Sequence, residues 1–480
     1  MMFDVEKSIA TAQEAFSSLI SYIRHKTETQ DAYTVEATLF RESRKVLLPL
    51  LQAYFDQKNK GYVGESVQRD GGVELGKERI KQRQYLSVFG AVTVSRWYYH
   101  EDHCAGIIPL DEDVNIPART CSYFVQDILM RHVGAMTYEE TAGLMERFFG
   151  LKIARHTVQE IAQETYRDVD EYYRSLQNVA RQEKDIVVAA IDGKGVPMVK
   201  EEPAEHKVRL GKGEKQNQKK EAVVTAVYSI DPYPRTAKDI VSEVRDKCHD
   251  AKRPRPCNKH VRATLEGKTD AICWAAEEVK RRDPENRKHH VCVMDGSVGL
   301  WTIALVTLHG FTFILDIFHA LEYLWKVAYV FHKEGSKEAQ DFVADRLTML
   351  LEGKVGYVIG GMRQMLSKHS KNLSKNQKKI LSTVVGYYER NRSWMQYNQY
   401  IAAGFPIGSG AVEGACRHLV KDRMEGSGMR WKVPGAEAVL KLRAVLLNGD
   451  WNVFWNYHMQ QESEHRFGSY QQWIPLKKAA

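Results

Sequence analysis

Three carboxylates in this 480-residue chain stand where they could act together on a phosphodiester. Asp192 closes the apolar run Asp185 to Asp192 (DIVVAAID), Asp295 closes His290 to Asp295 (HVCVMD), and Glu413 opens a late amphipathic helix. Displacement at phosphorus needs the charge on the attacking and leaving oxygens neutralised together, and two hard cations about 3.5–4 Å apart do this. Mg²⁺ prefers oxygen ligands and keeps several waters, so a few carboxylates on rigid elements suffice. Mn²⁺ can substitute, since it favours the same ligands.

Each carboxylate also has a plainer reading. Asp192-Gly193 and Asp295-Gly296 could simply be turns at strand ends. Glu413 with Arg417 could be a surface ion pair worth a few tenths of a kcal/mol. Joint placement on strand one, strand four and a late helix favours the chemistry.

The elements that must position them follow from the apolar pattern. Asp185 to Asp192 reads as a strand buried on both faces. Ala222 to Ile230 is a second strand, and a shorter third is expected near Asp239 to Val244. A helix over Asp270 to Arg281, a strand to Asp295 and a fifth strand from Phe311 to Ile317 complete the order. This predicts an α/β protein with a ribonuclease-H-like mixed sheet, in which strands one and four run parallel side by side. Neighbouring strands lie about 4.8 Å apart, so Asp192 and Asp295 can share a metal. Asp231 ends an antiparallel strand at the opposite edge. Asp316, on strand five and roughly 9.6 Å from strand one, ranks second to Asp295.

Ala320 to Tyr400 reads as an all-helical block. The turn-rich Gly404 to Gly410 leads into a helix over Ala411 to Met424, with Ser409 as its expected cap. Glu413 sits one position off the apolar stripe of Val412, Ala415, Cys416, Leu419 and Val420. Arg417 and Lys421 follow at i+4 and i+8 and would place cations against DNA phosphates. A final helix spans Ala436 to Leu447. Upstream, Tyr85 to Tyr99 predicts a β-hairpin. A capping box at Thr137 to Glu140 starts a helix that stops at Phe149-Gly150. The next helix opens at Ala154 to Val158. Two helices joined by a short Gly turn have the helix-turn-helix layout, which would face Arg155, His156, Thr157 and Gln159 toward a major groove.

The expected domains are an accessory region (1–115), a helix-turn-helix-like, mainly helical DNA-binding region (116–180), the core (181–330 and 401–447), the all-helical insertion (331–400) and a tail (448–480).

Composition bounds these readings. Lys and Arg number 69 against 61 Asp and Glu, and the net +8 permits a polyanionic partner without requiring one. The first residues carry acids and no apolar run, so no secretory signal is expected. The window Phe311 to Phe331 is too polar to span a membrane. A cytoplasmic, nucleoid-associated protein is expected. Seven scattered cysteines with no CxxC pair fit a reducing compartment. His100/His103/Cys104 and Cys248/His249 with Cys257/His260 are loose groups worth testing for zinc. His206 to Lys220 and Lys252 to Arg262 would add salt-dependent phosphate contacts beside the core. For Arg430, Trp431, Trp451, Trp455 and Tyr457, burial against the last helix is favoured over stacking on a base.

At Ile191 to Val196, Val293 to Gly296 and especially Gly404 to Trp431 (GFPIGSGAVEGACRHLVKDRMEGSGMRW), the chain resembles bacterial insertion-sequence transposases of the ISKra type. The resemblance implies a DDE transposase with Asp192, Asp295 and Glu413 as its catalytic, Mg²⁺-binding triad. Leu315 to His319 also looks family-typical, which gives Asp316 and His319 a supporting or DNA-contact role. Water would attack at the element end, and the freed 3′-hydroxyl would then attack target DNA. Double-stranded DNA is the implied partner, with a homodimer or larger assembly on it, and no membrane. Two other classes stay open: an inactive, transposase-derived DNA-binding regulator, and a structure-specific nuclease on the same fold.

Overall fold

The computed structural model describes residues 2–68, 72–176, 182–199, 219–246, 253–426, 428–468 and 474–475. Two compact units emerge, Met1–Tyr172 with Asp450–Ala480, and Tyr173–Gly449. The basic stretch 206–218, Cys248 and His249 lie outside the described residues.

In the first unit, helices α1 (Met2–His25) and α2 (Ala32–Gln57) pack together. An antiparallel sheet of β1 (Ser66–Gln68), β2 (Glu74–Ser87) and β3 (Gly90–His100) follows, with Ile474–Pro475 pairing on β1. The predicted hairpin turns at Val88-Phe89 but starts earlier than Tyr85. Its first arm, KERIKQRQ, is charged and exposed enough to carry no apolar signal. Helices α3 (Tyr123–Val133), α4 (Tyr138–Phe149) and α5 (Arg155–Thr165) come next. Both arms of the Thr137/Glu140 capping box form, and Gly150 ends α4 in the left-handed region at φ 64°, where glycine has no Cβ penalty. Val158, Ile161 and Ala162 bury one face of α5, leaving Arg155 and His156 exposed and Thr157 half-buried. The helix Trp451–Phe467 buries Trp451, Phe454 and Trp455, so these rings are core rather than stacking platforms.

The second unit is built on a five-stranded sheet: β4 (Ile186–Pro197), β5 (Lys219–Ile230), β6 (Cys257–Thr264), β7 (His289–Met294) and β8 (Thr312–Leu315). Its order is β6-β5-β4-β7-β8. β5 is antiparallel to both β4 and β6, while β4, β7 and β8 run parallel. This is the ribonuclease-H-like mixed sheet expected from the sequence. Helix α7 (Lys268–Arg282) covers one face, packing Trp274, Ala275 and Val279 on Val187, Ala189 and Val227.

The third strand is not where the sequence placed it. Asp239 to Val244 belongs to helix α6 (Ala237–Asp246), started by Thr236, whose hydroxyl accepts from Asp239 N at 3.3 Å while Asp239 Oδ2 accepts from Thr236 N at 2.8 Å. Ile240 and Val244 fit either a strand or an i,i+4 helical pair, and the cap decides for the helix. The true third strand, β6, lies in the stretch read as a DNA-binding loop. Its cations are engaged internally: Arg262 donates to Asp270 at 2.8 Å, His260 faces buried Glu278 at 3.1 Å, and Lys259 donates to Ala411 O at 2.7 Å.

After β7 come α8 (Val298–Thr307) and then, beyond β8, the helical block α9 (Ile317–Phe331), α10 (Lys337–Leu351), α11 (Val355–Lys368), α12 (Lys375–Asn391) and α13 (Tyr397–Ala402). Tyrosines tie this insertion to the sheet edge. Tyr397 donates to Leu315 O at 2.9 Å, Tyr400 to Phe313 O at 3.2 Å and Tyr388 to Ala320 O at 2.6 Å. Helix α14 (Gly410–Ala415) continues through a π-helical turn, Cys416–Lys421, to Met424, and α15 (Val433–Asn448) closes the unit.

The glycines after the two aspartates serve proximity, not turning. Neither has positive φ. A Cβ on Gly193 would strike the Glu221 carboxylate, and one on Gly296 would strike the Tyr387 ring of α12. Gly296→Ala should therefore destabilise the protein by about 1–3 kcal/mol through overpacking. Gly360→Ala, in α11 with open space around its Cβ, should be neutral or stabilising by up to about 1 kcal/mol. Urea unfolding of both variants checks this, and equal effects would show that the Tyr387 contact constrains nothing.

Candidate metal centre

The parallel ladder sets the geometry. Ile191 pairs with Met294 and Met294 with Leu315, so Asp192, Asp295 and Asp316 follow at one level of three adjacent strands. Asp316 N continues the ladder, donating to Met294 O at 2.9 Å. Asp192 does not end its strand, as the sequence reading had it. β4 runs on to Pro197 beside β5 after β7 has turned away.

The three carboxylates are treated differently. Asp316 is fully buried. It accepts from Phe318 N at 3.0 Å, Ser409 N at 3.3 Å and His319 Nδ1 at 2.8 Å, and makes a short bond with the Ser409 hydroxyl. A carboxylate offers about four acceptor sites, so Asp316 is saturated by protein donors. Asp192 accepts from Gly193 N at 2.7 Å on one oxygen and from the Cys416 thiol at 3.5 Å on the other. Burial, then the Asp192 charge, push that thiol up, so it stays a neutral donor. Asp295 accepts from Ser297 N at 2.9 Å. Burial raises its pKa, with Asp192 adding to the shift and His319 and Lys268 opposing it.

His319 completes the cluster. Single ligand atoms of Asp192, Asp295 and His319 all lie within 4.8 Å of one another, and among the described residues this trio is the one such group of His, Cys, Asp and Glu. His100, His103 and Cys104 therefore do not converge. His319 is pushed up to about 9, first by its hydrogen bond to Asp316 and then by the charges of Asp316, Asp295 and Asp192, against burial. Its Nδ1 is engaged with Asp316, which leaves Nε2 as the ring nitrogen free of that bond.

Glu413 stands at the rim, outside the 4.8 Å trio. Its Oε1 accepts from Ser409 Oγ at 3.3 Å, and its pKa is raised by burial first and then by Asp316. Ser409 does not cap the helix through its side chain as expected. Its hydroxyl is drawn instead to the buried Asp316. The straight Glu413, Arg417, Lys421 row is also altered. The π turn widens the helix just after Glu413, bringing Cys416 to Asp192 and leaving Arg417 and Lys421 exposed. Arg430 is exposed beside buried Trp431, whose indole N donates to Met424 O at 3.0 Å. Ser409, Cys416 and Tyr387 carried no chemical signal of their own in the sequence. Only their neighbours' motifs could have pointed to them.

No protein-family model matches the chain, and no curated protein matches it. Among solved structures, the Drosophila P element transposase strand transfer complex is similar at 12% identity and a TM-score of 0.23, covering 72% of this chain and 85% of that one. A likeness that remote leaves the chemistry to the geometry. Among the described residues no helix is long and apolar enough to cross a membrane.

The Asp316 and His319 pair has a defined pH window. His319 is raised from 6.5 to about 9 in the fold, so the stability it contributes is full below about pH 6.5 and lost as pH rises through 9. In metal-free buffer the melting temperature of the unmodified protein should fall more steeply between those values than that of His319→Gln. Parallel melting curves across that range would refute the coupling.

Proposed function

We propose that the chain is a DNA transposase of the ISKra insertion-sequence type, using Asp192, Asp295 and Glu413 to hold Mg²⁺, or Mn²⁺ in its place. The observation that carries this reading is the pair Asp192 and Asp295 at the ends of one parallel ladder, each with oxygen acceptor capacity left over. The neighbouring Asp316 has none left, which suits it to orient His319. The donor set is oxygen-rich, with Asp192 and Asp295 half-buried and Glu413 exposed at the rim, as suits a hard divalent cation that keeps several waters. When bound, such a cation supplies charge neutralisation at the phosphodiester.

The chain's own residues do the rest. His319, held by Asp316 through Nδ1, lies beside Asp192 and Asp295 and can face a phosphate oxygen there. Ser409, with a single hydroxyl proton, stands between Asp316 and Glu413 and favours the closer Asp316. Cys416 donates to Asp192 and keeps it facing the site. No side chain is required as a nucleophile, since water and then a 3′-hydroxyl attack. Arg417, Lys421 and Arg430 lie exposed and suit contacts with DNA phosphates. In the other unit, Arg155, His156 and Thr157 on the first turn of α5 suit the reading of terminal repeats in a major groove. Synapsis of two ends calls for a homodimer or larger assembly, in the nucleoid-bearing cytoplasm.

The test is cleavage and joining of DNA taken from the flanks of the gene, with Mg²⁺. Asp192→Ala and Glu413→Ala should each lower the rate by about a hundredfold or more. Asp295→Asn should weaken Mn²⁺ binding, whereas Asp316→Asn should retain it and lose rate through His319. Undiminished cleavage by Asp192→Ala would sink the assignment. Cuts without joined products would make the protein a nuclease, and DNA binding without cuts a regulator.

A further inference from the structure

Directly behind the residue that carries His319 to the carboxylates lies a cavity of about 250 Å³ with no role in the site described so far. Its walls are apolar: Ile240 of α6, Phe318 and Leu321 of α9, and Leu347 of α10. Phe318 is 41% exposed although it opens a buried helix. Gly408 leaves room for that ring, because a Cβ there would come within 2.7 Å of it. The backbone on the two sides is fixed, with Ile317 N donating to Ile407 O at 2.9 Å.

The polar lining is Arg235, Arg253 and Glu243. Arg235 Nε is buried without a hydrogen-bond partner, and its guanidinium lies 5.4 Å from the Tyr233 ring centre. Burial and the neighbouring Arg253 charge both pull the Arg235 pKa down, with Glu243 opposing. Among the described residues neither arginine is ion-paired to a carboxylate. Two under-compensated guanidiniums over an apolar slot ask for a ligand with an anionic group joined to a flat apolar body.

We propose that this cavity takes the unpaired base of a single-stranded DNA nucleotide next to the cut, stacked on Phe318, with Arg235 and Arg253 on the adjoining phosphates. The proposal rests on the reading of the carboxylate site as acting on DNA. Adjacency selects the ligand. Phe318 and His319 are consecutive on the first turn of α9, so the slot lined by Phe318 and the carboxylates beside His319 flank the same helix end. A paired base has its faces covered by its own stack and cannot enter, whereas an extruded or frayed base can. Base stacking on an aromatic ring tolerates any sequence, and the slot carries no side-chain pattern that would select one base.

The experiment uses the full chain in EDTA with two fluorescent probes: a blunt duplex, and the same duplex extended by a short single-stranded overhang whose first unpaired base is 2-aminopurine. The overhang should bind on the order of tenfold tighter than the blunt duplex, with a change in 2-aminopurine emission. Leu321→Trp, which fills the slot, should remove that preference and leave blunt-duplex binding unchanged, and Arg253→Gln should weaken the preference. A preference that survives both variants, or blunt binding that falls in parallel, overturns the proposal. Because no metal is present, overhang preference without any cleavage activity would support the cavity while the catalytic reading fails. Cleavage without overhang preference would overturn the cavity alone.

Discussion

The arrangement of this protein's second unit depends on one constraint: a parallel ladder of three strands delivers three aspartates to the same level of the sheet. Register leaves no alternative, because the residues just before them are paired across β4, β7 and β8. Carboxylates at strand spacing repel by a few kcal/mol per pair at an effective dielectric near 20. The surrounding structure can be understood as the response to that repulsion. Asp316 is neutralised by four donors, Asp192 leans on a protonated thiol, and Asp295 remains with its pKa raised.

The helical insertion takes part in this response. It is fastened to the sheet edge by tyrosines that bond the carbonyls of β8 and the start of α9, the segment flanking Asp316. Tyr387 lies against Gly296 and stacks on Tyr323 with ring centres 3.9 Å apart. The insertion thereby fixes the backbone on either side of Asp295 and Asp316. Sub-ångström placement of carboxylates needs such rigid backing, and loops alone rarely supply it.

How much of this was legible in the sequence follows from range. Asp192 and Asp295 could be read because each closes an apolar run, and a strand buried on both faces is among the clearest local signals. The sheet order followed from the succession of elements. The third strand was misread because Ile240 and Val244 suit two periodicities, while the true strand, CNKHVRAT, carries cations that only tertiary partners satisfy. Ser409 was read as a helix cap because local rules favour it there. The stronger partner, Asp316, is 93 residues away in sequence, and no local rule reaches that far. The glycines were legible as glycines but not for their reason, since a turn and a close approach use the same residue.

The same reasoning separates Asp295 from Asp316 without appeal to distance. Asp295 and Asp316 follow paired residues of adjacent strands, and that register alone cannot rank them. Acceptor capacity can: each bond that Asp316 accepts removes a lone pair a cation would need, and Asp295 accepts only one such bond among those described. The protein thus holds Asp316 in a settled state and leaves Asp295 in an unfavourable one, partly offset by His319 and Lys268. Residues kept in an unfavourable electrostatic state lower stability and persist where function requires them. A site that a hydrogen-bond donor could have quieted, but that the fold leaves open beside His319, is a group of side chains that could hold a metal ion.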